Sequence, residues 1–306
     1  MSGIKRIAIV GLGAIGSVYG DMLQKTGGFQ VYAIVDEQRK NRYKQNGIYV
    51  NNEPVSFTYI TPEQEVEAAD LIIIAVKYGQ LGEAIASIKQ HVGEHTIILS
   101  LLNGITSEEE LAAAYGREKI LYAMCNGIDS TRDGHSIFCS NPGKISFGEK
   151  KNKHITERVQ KVKACFEQGA IPVEVPEDME RTLWYKFMIN VGMNQVSAVT
   201  RAPYGFFQES GYARDLAMDA MKEVINLAKA QSIDLQEKDM EAFFEHILSK
   251  VSKDGKTSML QDIEAKRLTE VAMFSEKVID YGKQLHIDTP INQTLYSIIR
   301  TIEAAY

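Results

Sequence analysis

Near its start the chain passes from a β-branched run, Ile7-Ala8-Ile9-Val10, into Gly11-Leu12-Gly13-Ala14-Ile15-Gly16 and then into a helical segment, Ser17 to Gln24. A strand, three glycines spaced G-x-G-x-x-G and a helix leave few folds open. Gly11 makes the tight turn, Gly13 lets the backbone approach a pyrophosphate, and Gly16 lets the helix pack closely on the strand. Ala14 and Ile15, within the same motif, count with the glycines as cofactor-binding, and the pyrophosphate sits on the positive end of the helix. The pattern predicts a dinucleotide-binding Rossmann unit.

The next strand, Val31 to Val35, ends at Asp36, 20 residues beyond Gly16. A carboxylate there accepts hydrogen bonds from both ribose hydroxyls and repels a 2′-phosphate, so Asp36 favours NADH. Arg39, Lys40 and Arg42 follow on the next helical turn. They are either a 2′-phosphate site or a solvated helix face. Further strands are expected at Val55 to Ile60, Leu71 to Val76, Ile97 to Ser100 and Ile120 to Met124. Continuous apolar runs such as Leu71 to Val76 suit parallel strands covered on both faces. Ligands of such sheets bind beyond the carboxyl ends of the strands. Lys77 and Asn103 stand at two such ends and are expected to overlook the cofactor, although a strand-end charge and a turn residue are their plainer readings. From Asn126 to Gly148 the pattern reads as antiparallel, with Arg132-Asp133-Gly134 as a turn. A helix from Thr156 to Gln168 and a strand from Ile171 to Val175 close the domain. Pro176-Glu177-Asp178 marks the boundary, giving domains 1–176 and 177–306.

The second domain reads as all helical, with segments Thr182 to Val199, Arg214 to Ala230, Lys238 to Val251, Leu260 to Leu285 and Ile291 to Ala304. Apolar residues occupy nearly every side of the first, which marks a buried helix. Lys186, Asn190 and Asn194 nevertheless stack along one row at i, i+4 and i+8. A buried ammonium without partners costs several kcal/mol or deprotonates, so the row is expected to face a cleft where chemistry occurs. Ser258 reads as an N-cap and Glu270 as a carboxylate on the same helix.

A net charge of -6 with scattered, mixed cations argues against nucleic-acid and anionic-membrane partners. No apolar run approaches the roughly 20 residues of a membrane span. Ile4 to Val10 is interrupted by Lys5-Arg6 and leads into glycines rather than a cleavage site, so a cytoplasmic protein is expected. Cys125, Cys139 and Cys165 lack CxxC spacing and read as reduced structural thiols. No metal site is expected: His91 and His95 are four apart, but Gly93 breaks the helix they would need.

Taken together, GLGAIG, the VK at 76–77, the LLNG at 101–104, WYKFMINVGMN, the SMLQD at 258–262, the RLTE at 267–270 and Thr289-Pro290 closely resemble ketopantoate reductase over the whole chain, in order. The resemblance implies a Rossmann domain followed by a helical domain of the 6-phosphogluconate-dehydrogenase type, with a small-molecule 2-oxo acid held between them. It implies Lys186 as general acid, Glu270 as a second acidic site residue, Asn190 and Asn194 as pocket residues and Ser258 as a carboxylate binder. Asn103 would contact substrate and nicotinamide, and Lys77 the cofactor. The family suggests NADPH where Asp36 favours NADH, and a homodimer through the helical domain is the expected assembly.

The implied reaction is reduction of 2-dehydropantoate to pantoate, in pantothenate synthesis. The pattern departs at Pro203-Tyr204-Gly205, where relatives usually carry asparagine before the glycine, and at Gly255, where they carry an amide three residues before the serine. It departs again at Val271-Ala272 and Glu276. Lost hydrogen-bond partners change discrimination strongly, so another bulky 2-hydroxy acid, handled with NAD, is the alternative. Joint retention of Lys186, Asn190, Asn194, Ser258 and Glu270 speaks against a non-catalytic nucleotide-sensing module.

Overall fold

Alternation along the strands assigns each apolar side chain of the first unit to one of two cores. The computed structural model describes residues 3–209 and 211–306, and the chain divides into two units, Met1–Met179 and Glu180–Tyr306. The first contains β1 (Arg6–Val10), β2 (Gln30–Ile34), β3 (Tyr49–Val50), β4 (Glu53–Pro54), β5 (Thr58–Ile60), β6 (Ala69–Ile74), β7 (Val92–Ser100), β8 (Ile120–Asn126), β9 (Asp129–Asp133), β10 (Ser136–Asn141), β11 (Lys144–Gly148) and β12 (Val173–Glu174). Its helices are α1 (Ala14–Lys25), α2 (Glu37–Asn46), α3 (Leu81–Ser87), α4 (Ser107–Tyr115) and α5 (Glu157–Gln168).

Eight strands form one sheet in the order β12-β11-β8-β7-β6-β1-β2-β5. Pairing is parallel from β8 through to β5, and β11 runs antiparallel to β8. Ile7, Ile9, Leu71, Ile73 and Leu99 share a core with Val18, Tyr19 and Leu23 of α1 and Val159 and Phe166 of α5. Their neighbours Ala8, Val10, Ile72, Ile74 and Ile98 belong to a second core with Leu81 and Ala84 of α3 and Leu111 of α4. Covering both faces is what a parallel sheet requires.

A second sheet, β4-β3-β10-β9, was not foreseen. β9 and β10 pair antiparallel around Gly134, as the turn residues suggest. Their partner β3 is two residues long, too short to show a period. The strand expected from Val55 shrinks to Thr58–Ile60 because the Val55 amide bonds the Ile48 carbonyl instead, at 2.8 Å.

The second unit comprises α6 (Met179–Thr200), which opens at the boundary, α7 (Gly205–Gln208), α8 (Tyr212–Ala230), α9 (Glu237–Ala242), α10 (Ser258–Glu264), α11 (Ser275–Leu285) and α12 (Pro290–Glu303). The fold class is therefore a Rossmann-like α/β domain followed by a helical one. Two long helices read from the sequence are broken. Lys238 to Val251 becomes α9, a π-type turn at Phe243–Ile247 and a 3-10 turn at Leu248–Lys250. Leu260 to Leu285 is interrupted at Lys266, whose φ of 50° ends α10. There the amide of Arg267 reaches the Asp262 carbonyl at 2.9 Å and that of Lys266 reaches Ile263 at 3.1 Å, a Schellman motif without its usual glycine. Thr269 is then held by Glu303, which accepts from its amide and hydroxyl at 2.7 Å each.

α6 is the axis of this unit. Leu183, Trp184, Phe187, Met188, Val191, Met193 and Val196 are all buried. At Gly192 a Cβ would lie 2.7 Å from the Ala217 carbonyl oxygen and 2.6 Å from Met221 Cε, so α8 crosses in backbone contact. A buried polar chain ties the helices together. Gln195 Nε2 donates to Asn292 Oδ1 at 3.1 Å, while its Oε1 accepts from Ser275. Asn292 Nδ2 donates to Glu223 Oε2 at 2.7 Å. The same carboxylate accepts from the amides of Ile291 at 2.8 Å and Asn292 at 3.0 Å. Glu223 thus caps the positive end of α12, which explains why Thr289-Pro290 starts a helix there. Among the described residues no helix is long and apolar enough to cross a membrane.

α4 opens on buried Ser107 and Glu108. Burial pushes the Glu108 carboxyl up to about 7, against the opposing pull of backbone amides, the Ser107 hydroxyl and Arg117. The folded state therefore binds this proton more tightly than the unfolded chain does. Its stabilising effect is complete below an ordinary glutamate value of 4.5 and is lost as pH rises to about 7, a change of up to about 3 kcal/mol. Melting temperatures of Glu108→Gln and the unmodified chain, compared between about pH 5 and 8, are expected to show a flatter profile for the variant.

Candidate active site

Register brings the strand ends of the first unit into line. Ile34, Val10, Ile74 and Ser100 stand abreast across β2, β1, β6 and β7. Asp36, Gly11, Lys77 and Asn103 each follow that row by one to three residues, at the carboxyl edge where such sheets bind ligands.

The three glycines differ in what requires them. Gly11 has φ +95°, and a Cβ on it would lie 2.5 Å from the Ala75 carbonyl oxygen. At Gly16 a Cβ would come within 2.0 Å of the Gly11 carbonyl oxygen. Gly13 has an ordinary φ of -78°, and a Cβ there would meet nothing nearer than Ala75 O at 4.0 Å. Its missing side chain leaves open space over the start of α1. That helix has no side-chain cap and no acidic residue in its first turn, so the positive end, beginning with Ala14 and Ile15, is not neutralised locally. The residues present fit a pyrophosphate.

Asp36 is the N-cap of α2, accepting from the Arg39 amide at 2.6 Å. The cations after it are engaged. Arg39 pairs with Asp36 at 3.0 Å and with Glu83 at 2.9 Å, Lys40 with Glu37 at 3.3 Å, and Arg42 lies 5.3 Å from the centre of the Tyr43 ring. Lys77 is exposed and begins the short turn Tyr78–Gln80. Asn103 is half-buried beside Gly104, whose φ is 100°.

In the sequence Arg132 reads only as part of a turn. Its guanidinium donates through Nε to the Gly134 carbonyl at 2.9 Å and through one terminal nitrogen to the carbonyl of Leu12, inside the glycine loop. No local pattern signals this, because the contact joins residues 120 apart in the chain.

In the second unit Lys186 and Asn190 are half-buried on α6 and Asn194 is nearly enclosed. Asn194 Nδ2 donates to Asn190 Oδ1 at 3.2 Å, so these two members of the row touch. Ser258 does not cap α10. Thr257 does, accepting from the Leu260 amide at 3.2 Å, and Ser258 is the exposed first helical residue with its hydroxyl outside the capping role. Glu270 is not on a helix; it precedes the turn Val271–Met273 in the link between α10 and α11. Among the described residues no group of three or more His, Cys, Asp or Glu is placed to hold a metal ion.

The family described as "Ketopantoate reductase PanE/ApbA" matches residues 7–152, and its C-terminal part matches residues 178–303. This chain belongs to the ketopantoate reductase family. A 2-dehydropantoate 2-reductase of Aquifex aeolicus is 26% identical over 98% of this chain and 97% of its own length. One from Pyrococcus abyssi is 27% identical over 98% of each. Among solved structures, a 2-dehydropantoate 2-reductase from Geobacter metallireducens superposes with a TM-score of 0.84 at 26% identity, covering 97% of this chain and 99% of that one. A D-mandelate dehydrogenase in ternary complex with NADH and anilino(oxo)acetate shares the fold, with a TM-score of 0.88 at 21% identity over 98% of this chain and 99% of that one. Within a ketopantoate reductase fold, the guanidinium on the Leu12 carbonyl also brings positive charge to the glycine loop. Arg132→Gln is expected to weaken dinucleotide binding several-fold, measured by fluorescence titration, while leaving adenosine binding within about twofold.

Proposed function

We propose that this chain reduces a 2-oxo acid to the corresponding 2-hydroxy acid with a nicotinamide cofactor. The observation that carries the reading is the row Lys186-Asn190-Asn194 on an otherwise buried helix, with its amides already bonded to each other. When bound, the nicotinamide ring supplies the hydride. Lys186 hydrogen-bonds the C2 carbonyl oxygen, offsets the negative charge developing there and donates the proton that completes the alcohol. The Asn190 carbonyl accepts from Asn194, and in this reading the Asn190 amide nitrogen is the group offered to the ligand. Ser258, not engaged in capping, offers its hydroxyl to the substrate carboxylate, and Glu270 is the second acidic residue of the site. Lys77 and Asn103 contact the cofactor from the strand ends.

The cofactor is NADH in this reading. Asp36 occupies the ribose position, and its neighbours Arg39 and Lys40 are held by carboxylates. For the substrate, the relatives at 26% and 27% identity support 2-dehydropantoate. A second bulky 2-oxo acid is favoured by the altered residues Tyr204 and Gly255.

Lys186→Ala is expected to lower kcat by about 10²–10⁴-fold with cofactor affinity unchanged. Near-normal turnover in a folded variant would remove the proton-donor role. Steady-state kinetics with the two cofactors should give a higher kcat/KM for NADH than for NADPH, and Asp36→Ala should narrow the gap. A clear NADPH preference in the unmodified chain would overturn the assignment of Asp36.

A further inference from the structure

Two departures from the family pattern, Tyr204 and Gly255, touch each other. They lie 51 residues apart in the chain, yet the Tyr204 amide donates to the Gly255 carbonyl at 2.9 Å and the Gly205 amide to the Lys253 carbonyl at 2.8 Å. The phenol ring rests on the bare Cα of Gly255. A Cβ at that position would lie 3.0 Å from Tyr204 Cδ2 and 3.0 Å from the Ser252 carbonyl oxygen. Gly205 is equally tight, since a Cβ there would meet Lys253 Cβ and O at 3.1 Å. A side chain at 255 would therefore press on the ring and on the Ser252 carbonyl, and one of them would have to shift by a few tenths of an ångström. Two residues beyond Gly255, Thr257 caps α10 and sets Ser258 at its first position, so the ring–glycine pair is built into the loop that carries Ser258. The ring is half-buried, and burial raises its phenol above the usual tyrosine value.

We infer that Tyr204 and Gly255 act as one unit, giving the substrate pocket an apolar wall beside Ser258 that selects 2-oxo acids with an alkyl or aryl side chain over those ending in a hydroxyl. The inference rests on the 2-oxo-acid reading above. Its chemistry is that of an unmatched group. An amide at 204 or 255 would partner a substrate hydroxyl, whereas a ring over a glycine offers carbon, and a hydroxyl carried against carbon loses its water without replacement. The two positions are coupled, because an amide at 255 would press on the ring.

Two probes that differ by one hydroxyl test this: 2-dehydropantoate and trimethylpyruvate, in which a methyl group replaces the hydroxymethyl. The unmodified chain is expected to show a kcat/KM for trimethylpyruvate at least about tenfold above that for 2-dehydropantoate. Tyr204→Phe should keep that ratio within about twofold, because the ring rather than the phenol oxygen forms the wall. Tyr204→Asn should reduce the ratio at least about fivefold, and the double variant Tyr204→Asn/Gly255→Asn should invert it. A loss of packing alone lowers both activities together and leaves the ratio in place, and that result in a folded Tyr204→Asn protein overturns the inference. A preference of the unmodified chain for 2-dehydropantoate overturns it without any variant. Reduction of neither acid by a chain that binds cofactor removes the 2-oxo-acid reading itself, and this inference with it.

Discussion

The second unit depends on the burial of α6. A helix enclosed on almost every side can carry polar groups only where each is satisfied, since a buried donor or acceptor stripped of its partner costs about 1–3 kcal/mol. Gln195 meets this condition through Ser275 and Asn292, and Asn292 through Glu223. These bonds come from α11, α12 and α8, so satisfying one glutamine fixes three other helices around the axis. The crossing at Gly192 removes the remaining freedom, because α8 packs there against backbone rather than side chains. Lys186 and Asn190, half-buried on the same helix, are therefore carried on an axis whose placement is fixed by other groups.

The same division runs through what the residues disclosed on their own. Continuous apolar runs and the glycine spacing announced the parallel sheet, and the all-round apolar pattern announced α6, because such signals are local. Gln195, Glu223 and Asn292 are single polar letters in helical stretches, indistinguishable in the sequence from surface residues until helices are packed. The break after Glu264 was invisible because lysine rather than glycine adopts the left-handed conformation at 266. Thr257 and Ser258 are adjacent hydroxyl residues, and only backbone direction decides which caps.

Charge near Asp36 shows why composition alone misleads. Three cations within seven residues of Asp36 can be read as a phosphate site, but each is matched by its own neighbour: Arg39 by two carboxylates, Lys40 by Glu37, Arg42 by an aromatic face. Arg132 reverses the case. It looks like a turn residue, and the fold carries its charge to the glycine loop from a strand of the other sheet. Electrostatic roles are set by what the fold brings near, and long-range contacts are the part a linear reading does not contain.

Gly13 has a consequence of another kind. Gly11 and Gly16 answer to the fold, since a methyl group at either would strike backbone. Nothing in the folded chain asks for glycine at 13: its backbone is ordinary and the space above it is open. A lineage that had stopped holding a dinucleotide would drift at this position first, with no loss of stability to hold it back. The three positions thus divide two ways: backbone crowding holds two of them to glycine, and the third keeps a space clear.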